Sequence, residues 1–212
     1  MKPVAIAVVL ALALGFVEPH GYLMEPLART SIHLDPNLPY NPPYWYDNKG
    51  VWCNNVHQDL QYSQCGRCGE AAGNYDASQG GIYDKGALTG NYTSGSIIEV
   101  KAGLDNAHFG HFQMELCAQE QETDNCFSLL PVVSASQPLR GENLVCIPFD
   151  NPAPPNDIVT VRLQLPAGVR CSRCTLRWTY RTSYPNGAPD WDDCYTSAPA
   201  QTFRNCADIS IN

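Results

Sequence analysis

The sequence predicts an all-β fold, an antiparallel β-sandwich with long loops pinned by disulfides. Three observations predict it. Several segments alternate apolar and polar residues at the period of a strand. The runs are separated by turns drawn from 17 Pro and 16 Gly residues, while charged residues make up only 16% of the chain. Ten cysteines, an even number, all follow an apolar amino-terminal stretch.

Lys2 and the apolar run from Val4 to Val17 read as an export signal over residues 1–19, too short for a membrane span. Ala13-Leu14-Gly15 offers the small residues that signal processing prefers. Cleavage there leaves Phe16 to Pro19 to be trimmed in a second step before His20 becomes the terminus. No later segment is apolar for long enough to be a membrane helix, so the mature protein is expected to be secreted and extracellular. Residues 20–95 carry little periodicity and are expected to form one long, disulfide-pinned loop region with a short helix. Beyond them, Ile98, Val100, Ala102 and Leu104 form one apolar face, and Phe112, Met114 and Leu116 another. Val159, Val161, Leu163 and Leu165 alternate with Thr160, Arg162 and Gln164; Leu176, Trp178 and Tyr180 alternate with Thr175, Arg177 and Thr179. Phe203 to Ile211 alternates more weakly. Several one-sided strands of this kind must pair their apolar faces, which gives a sandwich. With no repeat, linker or low-complexity tract, residues 20–212 read as one domain.

The formal net charge is −8 and the isoelectric point about 4.9. This argues against nucleic acid or an anionic membrane as partner and is compatible with a neutral polymer. Cys53, Cys65, Cys68, Cys117, Cys126, Cys146, Cys171, Cys174, Cys194 and Cys206 read as five disulfides in an exported chain, with connectivity left open. Cys65-x-x-Cys68 and Cys171-x-x-Cys174 also have the spacing of zinc ligands. The two pairs stand much further apart than in a zinc ribbon, and the compartment is oxidising, so disulfides are the expectation.

Five histidines are candidates for metal binding: His20, His33, His57, His108 and His111. His20 differs from the rest because processing makes it the terminus. An amino-terminal histidine offers its α-amine and its ring Nδ1 to one metal, and a second histidine completes a T-shaped set of three nitrogens. Nitrogen donors in that arrangement favour copper over zinc. Tyr44, Trp45 and Tyr46 crowd a Pro-rich loop, where aromatic faces either stack on sugar rings or cover the loop's own small core. Asn91-Tyr92-Thr93 is a glycosylation acceptor motif.

Several segments together resemble one family. His20-Gly21-Tyr22-Leu23-Met24-Glu25-Pro26-Leu27-Ala28-Arg29 is similar to the mature start of the auxiliary activity family 15 lytic polysaccharide monooxygenases, which begin His-Gly and soon carry a Pro-x-Ala-Arg pattern. Cys65 to Glu70, Asn106 to Phe112, Cys174 to Tyr180 and Phe203 to Ile209 resemble further segments of that family, so the likeness runs across the whole mature chain. The resemblance implies an immunoglobulin/fibronectin-like sandwich and one copper ion held by His20 and His108. It also implies that Phe203 caps the copper axially without binding it, where many relatives have Tyr. Gln201, two residues earlier, either leans into that pocket as an amide that holds an oxygen species or is a plain surface residue. His111, three residues after His108, is expected on the opposite side of a strand and structural. Asn106 stands where relatives often have a small residue.

The activity so implied is oxidative cleavage of a crystalline β-1,4-linked polysaccharide by a monomer fed by an external electron donor, with chitin favoured over cellulose. The rival readings are a non-enzymatic chitin-binding defence protein on the same scaffold and a hydrolase, which needs paired carboxylates that sequence spacing cannot supply.

Overall fold

The computed structural model describes residues 20–38, 65–105, 109–147, 158–183, 194 and 201–212, with the backbone alone for His20 and Asp105. The export signal and Tyr44, Trp45, Tyr46, Cys53, Asn106 and His108 lie outside the described residues. Eleven strands are present: β1 (His20–Glu25), β2 (Leu88–Tyr92), β3 (Ile97–Asp105), β4 (His111–Cys117), β5 (Phe127–Leu129), β6 (Val132–Ala135), β7 (Leu139–Arg140), β8 (Leu144–Cys146), β9 (Ile158–Gln164), β10 (Cys171–Arg181) and β11 (Thr202–Ile211). A 3-10 helix spans Arg29–Leu34. One sheet runs β1-β3-β9-β6 and the other β2-β11-β10-β4-β8-β7, with β5 also on β4. The protein is a β-sandwich, as the alternation predicts. Among the described residues no helix is long and apolar enough to cross a membrane.

The four alternating segments build the core. Ile98, Val100, Ala102 and Leu104 of β3 and Val159, Val161 and Leu163 of β9 face Phe112, Met114 and Leu116 of β4 and Leu176, Trp178 and Tyr180 of β10 in one buried cluster. Each such fully buried large side chain stabilises the fold by roughly 1.5–3 kcal/mol before entropy is counted.

Two expectations need correction. Residues 20–95 are not all loop, because β1 and β2 lie within them. β1 is an edge strand in which only Leu23 enters the apolar core and Gly21 contributes no side chain, so it leaves no periodic trace. β2 pairs parallel to β11, the one pair in these sheets that is not antiparallel. The weak alternation of β11 has a different cause: every residue from Thr202 to Ile211 is buried. Its inner face meets the opposite sheet, and its outer face lies beneath the loop that starts at Cys65.

Disulfides join Cys68 to Cys206, Cys117 to Cys126, Cys146 to Cys194 and Cys171 to Cys174. Cys65 is also disulfide-bonded, its partner lying outside the described residues. The zinc reading is thereby overturned: Cys68 and Cys206 converge with Glu122, but their sulfurs are bonded to each other. The Cys68–Cys206 bridge spans 138 residues of sequence and clips the 65–86 loop onto the outer face of β11.

Beneath that loop lies a charged layer. Asp84 accepts hydrogen bonds from the backbone N–H groups of Gly80 (2.7 Å) and Gly86 (2.9 Å) and pairs with Arg173. Burial opposes the charge of its carboxylate, but the two N–H groups and Arg173 together hold its pKa below the ordinary range. A depressed carboxyl contributes stability above the unfolded value, about 3.9, and loses it as the pH falls through the folded value. Asp84→Asn should therefore cost about 1–3 kcal/mol near neutrality. That cost should shrink in acid, where the parent loses the same charge. Urea unfolding at neutral pH and again below about pH 3.9 checks this; an equal loss at both would refute it.

Candidate metal centre

The backbone register brings the two candidate ligand segments to one end of the sandwich. β1 pairs with β3 so that His20 stands opposite Asp105, the last residue of β3. The chain then crosses from the small sheet to the large one through residues 106–110 and enters β4 at His111. His108 belongs to that crossing, three residues beyond the position opposite His20.

The large sheet supplies an aromatic floor at the same end. Tyr180 of β10 lies between Phe112 of β4 and Phe203 of β11 in the ladder, and all three are fully buried. The Tyr180 and Phe203 rings stack with centroids 6.1 Å apart. Trp178, one inward position further along, stands 6.0 Å from both Tyr180 and Phe112.

β1 passes over this floor closely. A Cβ on Gly21 would stand 2.9 Å from Trp178 Cη2 and 2.9 Å from Leu104 Cδ2, so the residue after His20 has room only for hydrogen. Two residues further on, the Leu23 N–H donates to Asn205 Oδ1 at 2.9 Å. That bond ties the edge strand to the opposite sheet. Asn205 is fully buried and is the one polar residue in the inward series Phe203, Asn205, Ala207, Ile209 and Ile211.

Gln201 lies next to this floor, just before β11. It is 4% exposed, which excludes the surface alternative. Its backbone carbonyl accepts bonds from Thr182 N and Thr182 Oγ1, both at 3.0 Å, while its Oε1 is buried without a hydrogen-bond partner. An unpaired buried amide oxygen costs about 1–3 kcal/mol, so it marks a place where a donor is to be met.

His111 is buried, with Nδ1 3.3 Å from the Cys194 carbonyl oxygen. It alternates with Phe112 and so points to the outer face of β4, away from the aromatic floor. The structural assignment of His111 is thus supported, while His108, against which its side of the strand was reckoned, lies outside the described residues. Phe109 and Gly110 both take positive φ, at 47° and 95°, and reverse the chain between them.

The donor chemistry of this end suits copper. The inner-face side chains described there, those of Phe112, Tyr180, Phe203 and Gln201, offer a dry wall and one amide, with no carboxylate to compete for the metal. Sequence reasoning took Trp178 and Tyr180 as core only and passed over Asn205. The signal for Asn205 was present as a polar residue in an otherwise apolar inward series.

Comparison with known proteins agrees with this architecture. A family model described as lytic polysaccharide mono-oxygenase, cellulose-degrading, matches residues 20–209. Among solved structures, the chain is similar to the AA15 lytic polysaccharide monooxygenase from Thermobia domestica in the Cu(I) state. The identity is 31%, with 91% of this chain and 98% of that chain covered and a TM-score of 0.71. It shares its fold with the cellulose-active, copper-bound CelS2 at 18% identity, covering 90% of this chain and 98% of that one, with a TM-score of 0.51. No curated protein gives a significant match.

Proposed function

The chain belongs to the lytic polysaccharide monooxygenases, within auxiliary activity family 15, and we propose that it acts on chitin as a secreted, monomeric enzyme with one copper ion. In this reading the mature chain starts at His20, and the metal is held by the His20 α-amine, the His20 ring and the His108 ring. The observation that carries it is the register that sets His20 opposite Asp105, three residues before His108 in sequence, with the next residue, Gly21, packed against Trp178 of the aromatic floor. The family match, which begins at residue 20, supports the same terminus.

Copper, when held by His20 and His108, would supply one-electron redox chemistry toward an oxygen co-substrate. The protein groups supply the rest. Phe203 would present hydrocarbon to the site and keep water from it. Gln201 Oε1, buried without a partner, would accept a hydrogen bond from a donor entering the site. Tyr44, Trp45 and Tyr46 stack on sugar rings and hold the chain flat across the site. With dioxygen as co-substrate, a C–H bond beside the glycosidic oxygen becomes C–OH, the second oxygen atom leaves as water with two electrons from the external donor and two protons, and the hydroxylated linkage then breaks by expelling the neighbouring sugar as an alcohol. Asn91, exposed on β2 and bonded through Oδ1 to Asn212 Nδ2 at 2.7 Å, is the proposed glycosylation position.

Incubation of the copper-loaded protein with ascorbate and either chitin or cellulose, read by mass spectrometry of soluble products, tests the proposal. Oxidised chito-oligosaccharides are expected. Oxidised cello-oligosaccharides instead reassign the substrate, and binding without any oxidised product leaves a carbohydrate-binding protein on this scaffold. Terminal sequencing of the secreted protein should return His-Gly-Tyr; a start at Phe16 leaves His20 acylated and removes the amine ligand.

A further inference from the structure

The residue that follows His108 is held in an uncommon conformation by contacts to β10 of the large sheet. Phe109 has φ 47°, in the left-handed region that non-glycine residues seldom enter. Such a conformation persists only where the surroundings over-determine it. Two constraints do so here. Gly110, at φ 95°, lies so close to β10 that a Cβ there would collide with the Arg181 carbonyl oxygen. Its own carbonyl accepts from Ile147 N at 2.9 Å. On the other side, the Tyr180 hydroxyl donates to the Phe109 carbonyl oxygen at 2.8 Å.

Tyr180 is itself immobile. Its backbone lies mid-sheet between Phe112 and Phe203, and its ring packs against Trp178 and Phe203. Its hydroxyl therefore carries the rigidity of the large sheet to the residue next to His108. Phe109 is thus fixed directly after residue 108 in sequence, and Asp105, paired with His20, directly before residue 106.

We propose that Tyr180 is a positioning residue for the metal centre. Its hydroxyl, through the Phe109 carbonyl, sets the backbone from which His108 projects and hence the geometry of the second histidine ligand. The inference rests on the copper reading above. A buried tyrosine hydroxyl generally finds some partner, so the bond alone would suit a merely structural role. The two roles differ in what the hydroxyl controls.

Tyr180→Phe separates them, because it keeps the ring and its packing and removes one hydroxyl. Three measurements compare it with the parent, both with His20 at the terminus: calorimetric titration with copper(II), electron paramagnetic resonance of the copper(II) form, and amide hydrogen exchange of the copper-free protein. The expected result is an affinity lower by about tenfold, the lower end of what is lost when a group that orients a metal ligand is removed. The copper hyperfine splitting should change, and exchange should rise in residues 105–112 but not in β11. Parental affinity and spectrum, with only a lower melting temperature, overturn the inference and leave Tyr180 structural. A parent that binds no copper, or a His108→Ala variant that binds it as the parent does, overturns the copper reading and the inference with it.

Discussion

Replacing His108 by Ala should remove copper retention and the release of oxidised oligosaccharides, whereas His111→Ala should leave both and lower stability instead. The three-nitrogen set loses one donor in His108→Ala, and no second imidazole on the described inner face of the large sheet can substitute. The loss of affinity should exceed about 100-fold, beyond what is typical when a group merely orients a ligand. The fold should survive, because the described core is built from the apolar rows of β3, β4, β9 and β10. His111 presents the reverse case. Its ring is buried on the outer face of β4 with Nδ1 against the Cys194 carbonyl. Deleting it strands that carbonyl and opens a cavity, at about 1–3 kcal/mol. Copper titration, product yield and urea unfolding of the two variants decide the matter. Equal losses of copper affinity in both would mean that the ligand is misassigned.

The contrast also marks how far the sequence could be read. β3 and β9 were legible because burial is one-sided, and β4 and β10 because their outer rows, though largely buried, are mostly polar: His111, Gln113 and Glu115, and Thr175, Arg177 and Thr179. β11 was blurred because it is buried on both faces and its types are mixed, with Asn205 on the inner face and Cys206 between Arg204 and Asp208 on the outer one. A strand covered on both sides loses its period unless one row stays polar. β1 was illegible for the opposite reason, since an edge strand with one core side chain has no period to show. The sequence proposes His20 from what processing would make of it, and His108 and Phe203 from the family likeness. What would aim them was not legible. Tyr180 and Trp178 read as ordinary core residues, and their contacts to Phe109 and Gly21 depend on a crossing between sheets that no local pattern encodes. The same holds for Arg29, visible in sequence only as part of a Pro-x-Ala-Arg signature, whose role emerges from partners 93 and 179 residues away.

Arg29→Met should be the most destabilising single substitution of a charged residue, at about 3–5 kcal/mol. The guanidinium is 3% exposed. Nε and Nη2 form a fork onto Asp208 at 2.9 and 2.6 Å, and Nη1 donates to Glu122 Oε2 at 2.8 Å and to the Ala77 carbonyl at 3.2 Å. Nη2 also meets Thr175 Oγ1 at 3.1 Å. Burial alone would weaken the charge, but Asp208 and Glu122 outweigh it and push the pKa above the ordinary arginine value, so the group stays charged. With Arg29 gone, the remaining cation beside Asp208 is Arg173 and that beside the fully buried Glu122 is Arg67 at 3.5 Å, with neutral hydrogen bonds to Glu122 from Thr175 Oγ1 at 2.9 Å and Gln79 N at 3.3 Å. The cost is that of the stranded carboxylates, not of a lost attraction, and this makes a specific prediction. Glu122→Gln should be destabilising alone yet partly rescue Arg29→Met, because it removes the charge left behind. Arg29→Lys should recover little, since a point charge cannot replace the fork. In a domain of this size the single loss should lower the melting temperature by about 10 °C. Asp208 lies five residues along β11 from Phe203, about 17 Å at strand spacing, so copper affinity of the folded fraction should be unchanged. A melting temperature within a degree or two of the parent would show that the network can be replaced by hydrocarbon and that the loop over β11 is held by its other ties, the Cys68–Cys206 bridge and the Arg204–Gly66 bond among them.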